Sequence, residues 1–421
     1  MESENTKTIP PNSTIFTKPI FILFGIGALL AYNAFLTELP FFNYFLSDMS
    51  PGKSIPFLNF VLNLTFQFLI LWKKDLFNLR KQLIIGLISS ILFLILIPIV
   101  VVKLGKNTKL NIACTSLLIL VMGFINALLT SGFYSLASFF PLDILVALNS
   151  GMAIAGILMN VIEYIVLFTV DTGDEEKDVI TCALTFFIIS GFILLVCLIL
   201  LLYEFNTDYY RYYLRTLNKD NGNETVVETQ TELVSEGETN EPKKEKTELS
   251  FMEMFKILRH IDLLGMYIYI ITASLYPNAC IRQNLFNMEE AYNVNTILII
   301  INICDTIGRY LVVKVKPSKM LTMIVILSRT IFVVTLLLNY YLEQNGHGDI
   351  EFTSSFLLFN IICLAISNGV GTSLCFGIAP TLVEDEYKGQ AGASVSFFAT
   401  FGTFTGTVIA YLTSYLMDLM E

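Results

Sequence analysis

The sequence predicts an all-α polytopic membrane protein with about eleven transmembrane helices, six before a polar gap and five after it. The chain has 421 residues, of which 54% are hydrophobic and only 15% are charged, whereas soluble domains carry about 25% charged residues. Apolar runs of about 20 residues, the length that crosses a bilayer as a helix, recur along the whole chain. A polar stretch at residues 204–260 divides these runs into two groups.

The predicted spans follow one another with short polar breaks. Only Pro141 and Asp143 separate the fourth from the fifth, so this boundary is the weakest. The seven cysteines lie in or beside spans without metal-ligand spacing, so we interpret them as small apolar residues and expect no metal or other cofactor. The predicted spans are 18–38, 54–72, 82–102, 110–138, 143–169 and 179–203, then 261–281, 292–313, 319–342, 353–380 and 388–417.

Charge placement predicts the orientation. Cytoplasmic loops carry an excess of Lys and Arg. With the N-terminus inside, 18 of the 26 Lys and Arg residues fall on the cytoplasmic side and six on the other, while Arg309 and Arg329 lie within spans. The C-terminus is then extracytoplasmic. The resulting regions are a cytoplasmic tail (1–17), a six-helix bundle (18–203), a cytoplasmic linker (204–260) and a five-helix bundle (261–418).

The linker itself has two predicted parts. Residues 218–250 have almost no apolar content, and such a segment cannot bury enough surface to offset its ordering entropy, so it should be disordered. Residues 251–258 have the pattern of a short amphipathic helix that leads into the seventh span.

Two ionisable residues inside the eighth span are the most informative feature of the chain. Asp305 and Arg309 are four residues apart, with the acid first, so they share a helix face in the favourable order. Asn302 lies on the same face, and Gly308 removes bulk beside it. Charges at bilayer depth are costly and usually face a polar cavity. The pattern indicates either a structural intramembrane salt bridge or the polar substrate site of a transporter.

Several motifs, in order along the chain, resemble those of the equilibrative nucleoside transporter family (solute carrier family 29 type). The Asn302 to Arg309 stretch resembles the family's Asn-x-x-Asp-x-x-Gly-Arg motif. The resemblance implies a fold similar to the major facilitator architecture with one helix missing. The other motifs are the glycine-rich run ending at Asn33 (25–33), the small-residue repeat of the fifth helix (149–156), the arginine-bearing ninth helix (327–332), and the tenth- and eleventh-helix signatures (367–369, 379–383 and 391–393).

The resemblance implies that the site binds a nucleoside, with ribose on Asp305 and Arg309 and with Asn302 nearby. Tyr32 takes the place of the family's usual tryptophan before Asn33 and keeps an aromatic face for the base. The fourth-helix glutamine that often contacts the base in the family falls on Thr130. Tyr276 supplies aromatic surface as well, or else it only packs beside a proline kink.

Other positions have more than one interpretation. Arg329 either pairs with Asp305 or has a structural or gating role at the cytoplasmic side. Glu163 is a protonated core carboxyl, a cavity residue or a proton carrier. For Gly151 and Gly156 we expect a role in the close packing of helices in preference to contact with a ligand.

The resulting hypothesis is a transporter that moves nucleosides, and nucleobases as a further candidate, by rocking helices 1–6 against helices 7–11. A carrier for amines on the same scaffold is the alternative, with Glu38 and Glu163 as its acidic residues, and proton-coupled transport also stays open. The spans contain no catalytic constellation, so an enzyme is disfavoured. We expect a monomer in the lipid bilayer of the plasma membrane, with no nucleic-acid partner.

Overall fold

The computed structural model describes residues 14–49, 51–73, 78–170, 174–213, 249–276, 278–286, 288, 290–314, 318–345 and 349–419. Within these ranges the chain forms helices and turns, without β-strands. The predicted tail up to residue 13 and most of the segment predicted to be disordered (218–248) lie outside the described residues.

Eleven long helical segments occur at the predicted places, which confirms the all-α membrane fold. Ten are long and apolar enough to span a membrane; α7 falls short because its first half carries several charged side chains. The segments are α1 (Thr14–Thr37), α2 (Pro51–Trp72), α3 (Leu79–Leu104), α4 (Lys109–Ala137), α5 (Leu142–Thr169), α6 (Glu175–Glu204), α7 (Phe251–Leu275), α8 (Glu290–Leu311), α9 (Lys319–Ser328 continued by Ile331–Gln344), α10 (Ile350–Ile378) and α11 (Lys388–Asp418).

Helix α7 differs from its predicted bounds at both ends. Ser250 and Glu253 form a capping box at its start, so the predicted amphipathic helix and the seventh span are one continuous helix. The helix ends at Leu275, earlier than predicted, because Tyr276 is extended. Residue 277 is a proline, and the helical conformation is disfavoured for the residue that precedes a proline.

Close backbone approach organises the first bundle. Helix α1 packs along α5. Gly25 and Gly151 face each other there: a Cβ on Gly151 would overlap the carbonyl oxygen of Ile22, and one on Gly25 would overlap that of Leu148. The close approach predicted for Gly151 is therefore present. In the second bundle α7 packs along α11, and α8 packs along α10.

The two bundles meet along a seam, which we define as the contacts of α5 with α8, of α4 with α11 and of α2 with α11. Two of the polar clusters described below, around Arg309 and around Gln67, make contacts across this seam. Its position fits a transporter whose two halves move relative to each other.

Candidate functional site

Asp305 and Arg309 form a buried ion pair on α8. The Arg309 Nε atom donates to Asp305 Oδ2 over 2.8 Å, and both residues are buried. Gly308, between them, lies so close to α10 that a Cβ would overlap the carbonyl oxygen of Ile366. The four-residue spacing thus produces the expected pair, and the missing side chain of Gly308 sets it against α10.

The second oxygen of Asp305 accepts from Asn368 on α10, with Nδ2 to Oδ1 at 2.8 Å. Arg329 reaches the other side of the same amide, with Nη2 3.4 Å from Asn368 Oδ1. It also donates to Thr272 Oγ1 at 2.6 Å and to Ser367 Oγ at 2.9 Å. Arg329 therefore does not bond Asp305 directly, and Asn368 lies between the two charges.

Arg329 lies at the junction between the two pieces of α9. Helix α9 is interrupted at this residue, because Arg329 ends its first piece and Thr330 precedes the second. The guanidinium is fully buried and its Nη1 donates to the carbonyl of Leu364 over 3.1 Å. Arg309 bonds the Asp305 carboxylate directly and Arg329 is connected to it through Asn368, so this cluster carries one net positive charge.

Arg309 also joins the two bundles. Its Nη1 atom donates to the backbone carbonyl of Asn149 on α5 over 2.8 Å. The Asn149 side chain accepts from the hydroxyl of Tyr134 on α4 at 2.7 Å. The Tyr134 ring in turn stacks on Phe376 of α10, with centroids 3.7 Å apart and planes within 12°. Tyr134 and Phe376 were not predicted, because no local pattern shows which helices will meet.

Thr130 belongs to a second polar cluster. It donates to the carbonyl of Asn126 and accepts from the buried amide of Gln67, with Nε2 to Oγ1 at 3.1 Å. The same Nε2 lies 2.8 Å from Thr400 Oγ1 on α11. Ser396 of α11 donates to the Gln67 oxygen at 3.3 Å. Gln67, which the sequence did not single out, is thus the amide beside Thr130 and connects α2 and α4 to the opposite bundle.

The two candidate aromatic residues, Tyr32 and Tyr276, lie near the C-terminal ends of α1 and α7. Tyr32 is half-buried, and its ring lies 5.4 Å from that of Phe60 at an angle of 57°. Asn33 beside it is also half-buried. Tyr276, at the end of α7, is half-buried and packs on the core of the second bundle, which includes Leu275 and Ile297. Both residues keep some accessible surface.

Asn302 and Gly156 meet across the seam. A Cβ on Gly156 would lie 2.9 Å from Asn302 Nδ2, so the missing side chain makes room for this amide. Gly156 therefore adjoins the predicted polar face directly, in addition to any helix packing.

Glu163 has an acidic neighbour that its sequence position did not show. Glu38, at the junction after α1, is buried, and burial together with the nearby Glu163 carboxylate raises the pKa of Glu38 to about 8. Within the described part of the chain neither carboxylate has an ion-pair partner. Two carboxylates therefore lie near each other without a compensating cation.

Comparisons with known proteins agree with this architecture. A family model described as nucleoside transporter matches residues 116–415. Human equilibrative nucleoside transporter 1 is 24% identical, with 93% of this chain and 95% of the relative covered. Rat equilibrative nucleoside transporter 2 is 23% identical (94% and 96% covered), and equilibrative nucleotide transporter 1 of Arabidopsis thaliana is 22% identical (97% and 88% covered).

Two solved major facilitator superfamily transporters have a similar fold. The proton:xylose symporter XylE superposes with a TM-score of 0.67 at 13% identity, covering 97% of this chain and 91% of the other. FucP in the outward conformation gives a TM-score of 0.61 at 14% identity, covering 96% and 92%. The fold is therefore major-facilitator-like.

Proposed function

The chain belongs to the nucleoside transporter family, and from that premise we propose that it carries nucleosides across the membrane by alternating access. The family and the fold are those of membrane transporters and not of enzymes. The observation that carries the proposal is the buried Asp305–Arg309 pair, whose arginine bonds the backbone of the opposite bundle at Asn149. A charged pair at the seam can bind a polar solute and respond to the movement of the two halves.

A nucleoside has a neutral ribose rich in hydroxyls and a flat aromatic base. Asp305 can accept from ribose hydroxyls with its remaining lone pairs, and charge-assisted hydrogen bonds of this kind are the strong class. Asn302 offers an amide on the same face. Tyr32 and Tyr276 offer aromatic surface for the base. These roles, and base contact by Thr130 or nearby groups, are part of the proposal.

Alternating access requires seam contacts that can separate. Arg309 to Asn149, Gln67 to Thr400 and the Tyr134–Phe376 stack all join opposite bundles. Gln67, Tyr134 and Arg309 lie near the C-terminal ends of α2, α4 and α8, respectively. Asn149 lies near the N-terminal end of α5. With the N-terminus in the cytoplasm, all these ends face inward. This arrangement supports a state that is closed on the cytoplasmic side.

The remaining partners and the location are proposed in the same way. The protein is an integral membrane protein, and we place it in the plasma membrane as a monomer, with the N-terminus inside and the C-terminus outside. The excess of Lys and Arg on the side predicted to be cytoplasmic supports the orientation.

A carrier for amines is the second candidate because one observation favours it. Glu38 and Glu163 lie near each other without a basic partner among the described residues, and such a pair can bind a small organic cation. Uptake by transporter-null cells expressing the full chain separates the candidates. Labelled nucleosides should accumulate above the vector control, nucleobases less so, and amines not at all. Amine uptake without nucleoside uptake would overturn the proposed function.

We expect Tyr32→Ala to raise the apparent KM for several nucleosides together. Stacking of a base on an aromatic ring contributes about 1–3 kcal/mol in nucleic-acid-binding proteins, and a free nucleoside should recover part of that. Tyr32→Phe keeps the ring and serves as the matched control. KM values at equal surface expression check the prediction. If Tyr32→Ala transports with unchanged KM, Tyr32 only packs against Phe60.

External pH should have a modest effect that depends on Glu38. Its pKa of about 8 means that the carboxyl is neutral below pH 8 and ionised above it. As the pH rises through this value, a second negative charge appears near Glu163, and the repulsion between the two carboxylates should lower uptake. Glu38→Gln should flatten the profile between pH 6 and 9, and Glu163→Gln should reduce it by removing the neighbour. A profile that is steep and unchanged in both variants would contradict this assignment.

A further inference from the structure

A cavity opens between the two bundles at the end of the seam, and the Asp305–Arg309 pair and its hydrogen-bond partners are not among its lining residues. It has a volume of about 640 Å³. Lys18 and Ile22 of α1 and Asp143 and Val146 of α5 form one wall, while Tyr310 of α8 and Lys314, which follows α8, form the other. Lys18, Asp143 and Lys314 all lie within three residues of the end of a membrane span, so the cavity is at the membrane–water boundary.

The charges of this cavity are not balanced. Lys18 pairs with Asp143 on its own wall, with Nζ to Oδ2 at 2.7 Å. Lys314 on the facing wall is exposed and has no ion-pair partner among the residues that the structure describes. Two ammonium groups and one carboxylate give the cavity one net positive charge. An anion between the walls would remove the repulsion between Lys18 and Lys314.

The apolar part of the lining identifies the kind of anion. Ile22 and Val146 line the same space, and Tyr310 is 43% exposed. A free phosphate gains nothing from apolar walls, whereas a membrane lipid places its headgroup at the boundary and its glycerol and acyl carbons against such surface. Basic pockets between membrane helices on the cytoplasmic side bind anionic headgroups in this way.

We propose that the cavity bounded by Lys18, Asp143, Tyr310 and Lys314 binds the phosphate headgroup of an anionic membrane lipid. Its two walls belong to opposite bundles, so the site exists only while this side of the seam is closed. A ligand that binds one state better than the other shifts the population towards that state. The lipid therefore stabilises the closed arrangement of the cytoplasmic side.

The test uses the purified full chain in neutral detergent and needs no transported substrate. Dioctanoyl phosphatidylinositol is the probe, dioctanoyl phosphatidylcholine is the zwitterionic comparison, and inositol 1-phosphate is the free headgroup. Bound ligand is counted by native mass spectrometry, and thermal unfolding is followed in parallel. We expect phosphatidylinositol to bind and to raise Tm, with phosphatidylcholine and inositol 1-phosphate binding at least fivefold more weakly.

Variants locate the site. One interfacial lysine accounts for about a fivefold change in affinity for an anionic lipid, so Lys314→Gln should weaken phosphatidylinositol binding by about that factor. Lys314→Arg should restore it. Lys319→Gln, which removes another exposed lysine that does not line the cavity, is the matched control and should bind like the wild type.

Three results would overturn the proposal. Equal binding of inositol 1-phosphate would show a site for soluble anions, and equal binding of phosphatidylcholine would show an apolar groove without charge recognition. Equal loss in Lys319→Gln would show general surface attraction. Since substrate uptake is not measured, these outcomes are independent of the transported solute.

Discussion

Asp305→Asn and Arg309→Ala should each reduce nucleoside uptake by about tenfold or more in protein that still reaches the membrane. Removing one partner of a buried ion pair leaves the other uncompensated, at a cost of about 3–5 kcal/mol, and a factor of ten corresponds to about 1.4 kcal/mol. Arg309→Ala additionally removes the bond to the Asn149 carbonyl across the seam. Initial uptake rates, normalised to surface-labelled protein, check the expectation.

Controls separate recognition from folding. The exposed pair Asp174–Lys177, with Nζ to Oδ2 at 3.1 Å, provides Lys177→Gln as a matched variant that should transport normally. The double variant Asp305→Asn with Arg309→Gln leaves no unpaired charge from the two residues, so it should reach the membrane better than Arg309→Ala but remain inactive. If the pair contacts ribose, the single variants should impair nucleosides more than nucleobases. Full uptake by Asp305→Asn at equal surface level would refute the role of this carboxylate.

The sequence predicts this pair because the pair is local. A spacing of four residues places two side chains on one helix face whatever the rest of the fold does. The same reasoning located the eleven helices, because each depends on the composition of its own segment. The close approach at Gly151 was also visible as a run of small residues.

The partners of the pair could not be predicted in this way. Asn149 is 160 residues from Arg309 in sequence, and Asn368 is 63 residues from Asp305. Arg329 was expected either to pair with Asp305 or to have a structural role. In the structure its guanidinium bonds Thr272 and Ser367 and does not bond Asp305 directly. Such contacts depend on how helices from distant parts of the chain pack.

The contacts of Gln67 also could not be predicted from the sequence. Its amide appears in the sequence as one of several uncharged polar residues in the second span, with no charged residue beside it. Only the packing of α2 against α11 brings it within 2.8 Å of Thr400. Since an amide nitrogen carries two hydrogens and Gln67 Nε2 has three acceptors within 3.1 Å, this cluster can exchange partners when the bundles move.

Gly151→Ala should destabilise the protein severely, although the same substitution inside an exposed helix stabilises it. Alanine is favoured over glycine by about 1 kcal/mol in helix interiors. At Gly151, however, the new Cβ would overlap the carbonyl oxygen of Ile22, so α1 and α5 would have to move apart. Overpacking of a well-packed interior costs about 1–3 kcal/mol, and backbone atoms cannot rotate away as a side chain can.

Gly191→Ala on α6 is the matched control, since no described atom beyond its chain neighbours and its own helix backbone lies within 4 Å of the Cβ that it adds. We expect Gly151→Ala to lower Tm and the yield of monodisperse protein in detergent, and Gly191→Ala to leave both unchanged or slightly higher. The separation of α1 from α5 would also displace Tyr32 on one helix and Asn149 on the other. Residual Gly151→Ala protein should therefore transport poorly at equal surface level. Wild-type Tm and uptake in Gly151→Ala would mean that the two helices do not approach as closely as the structure places them.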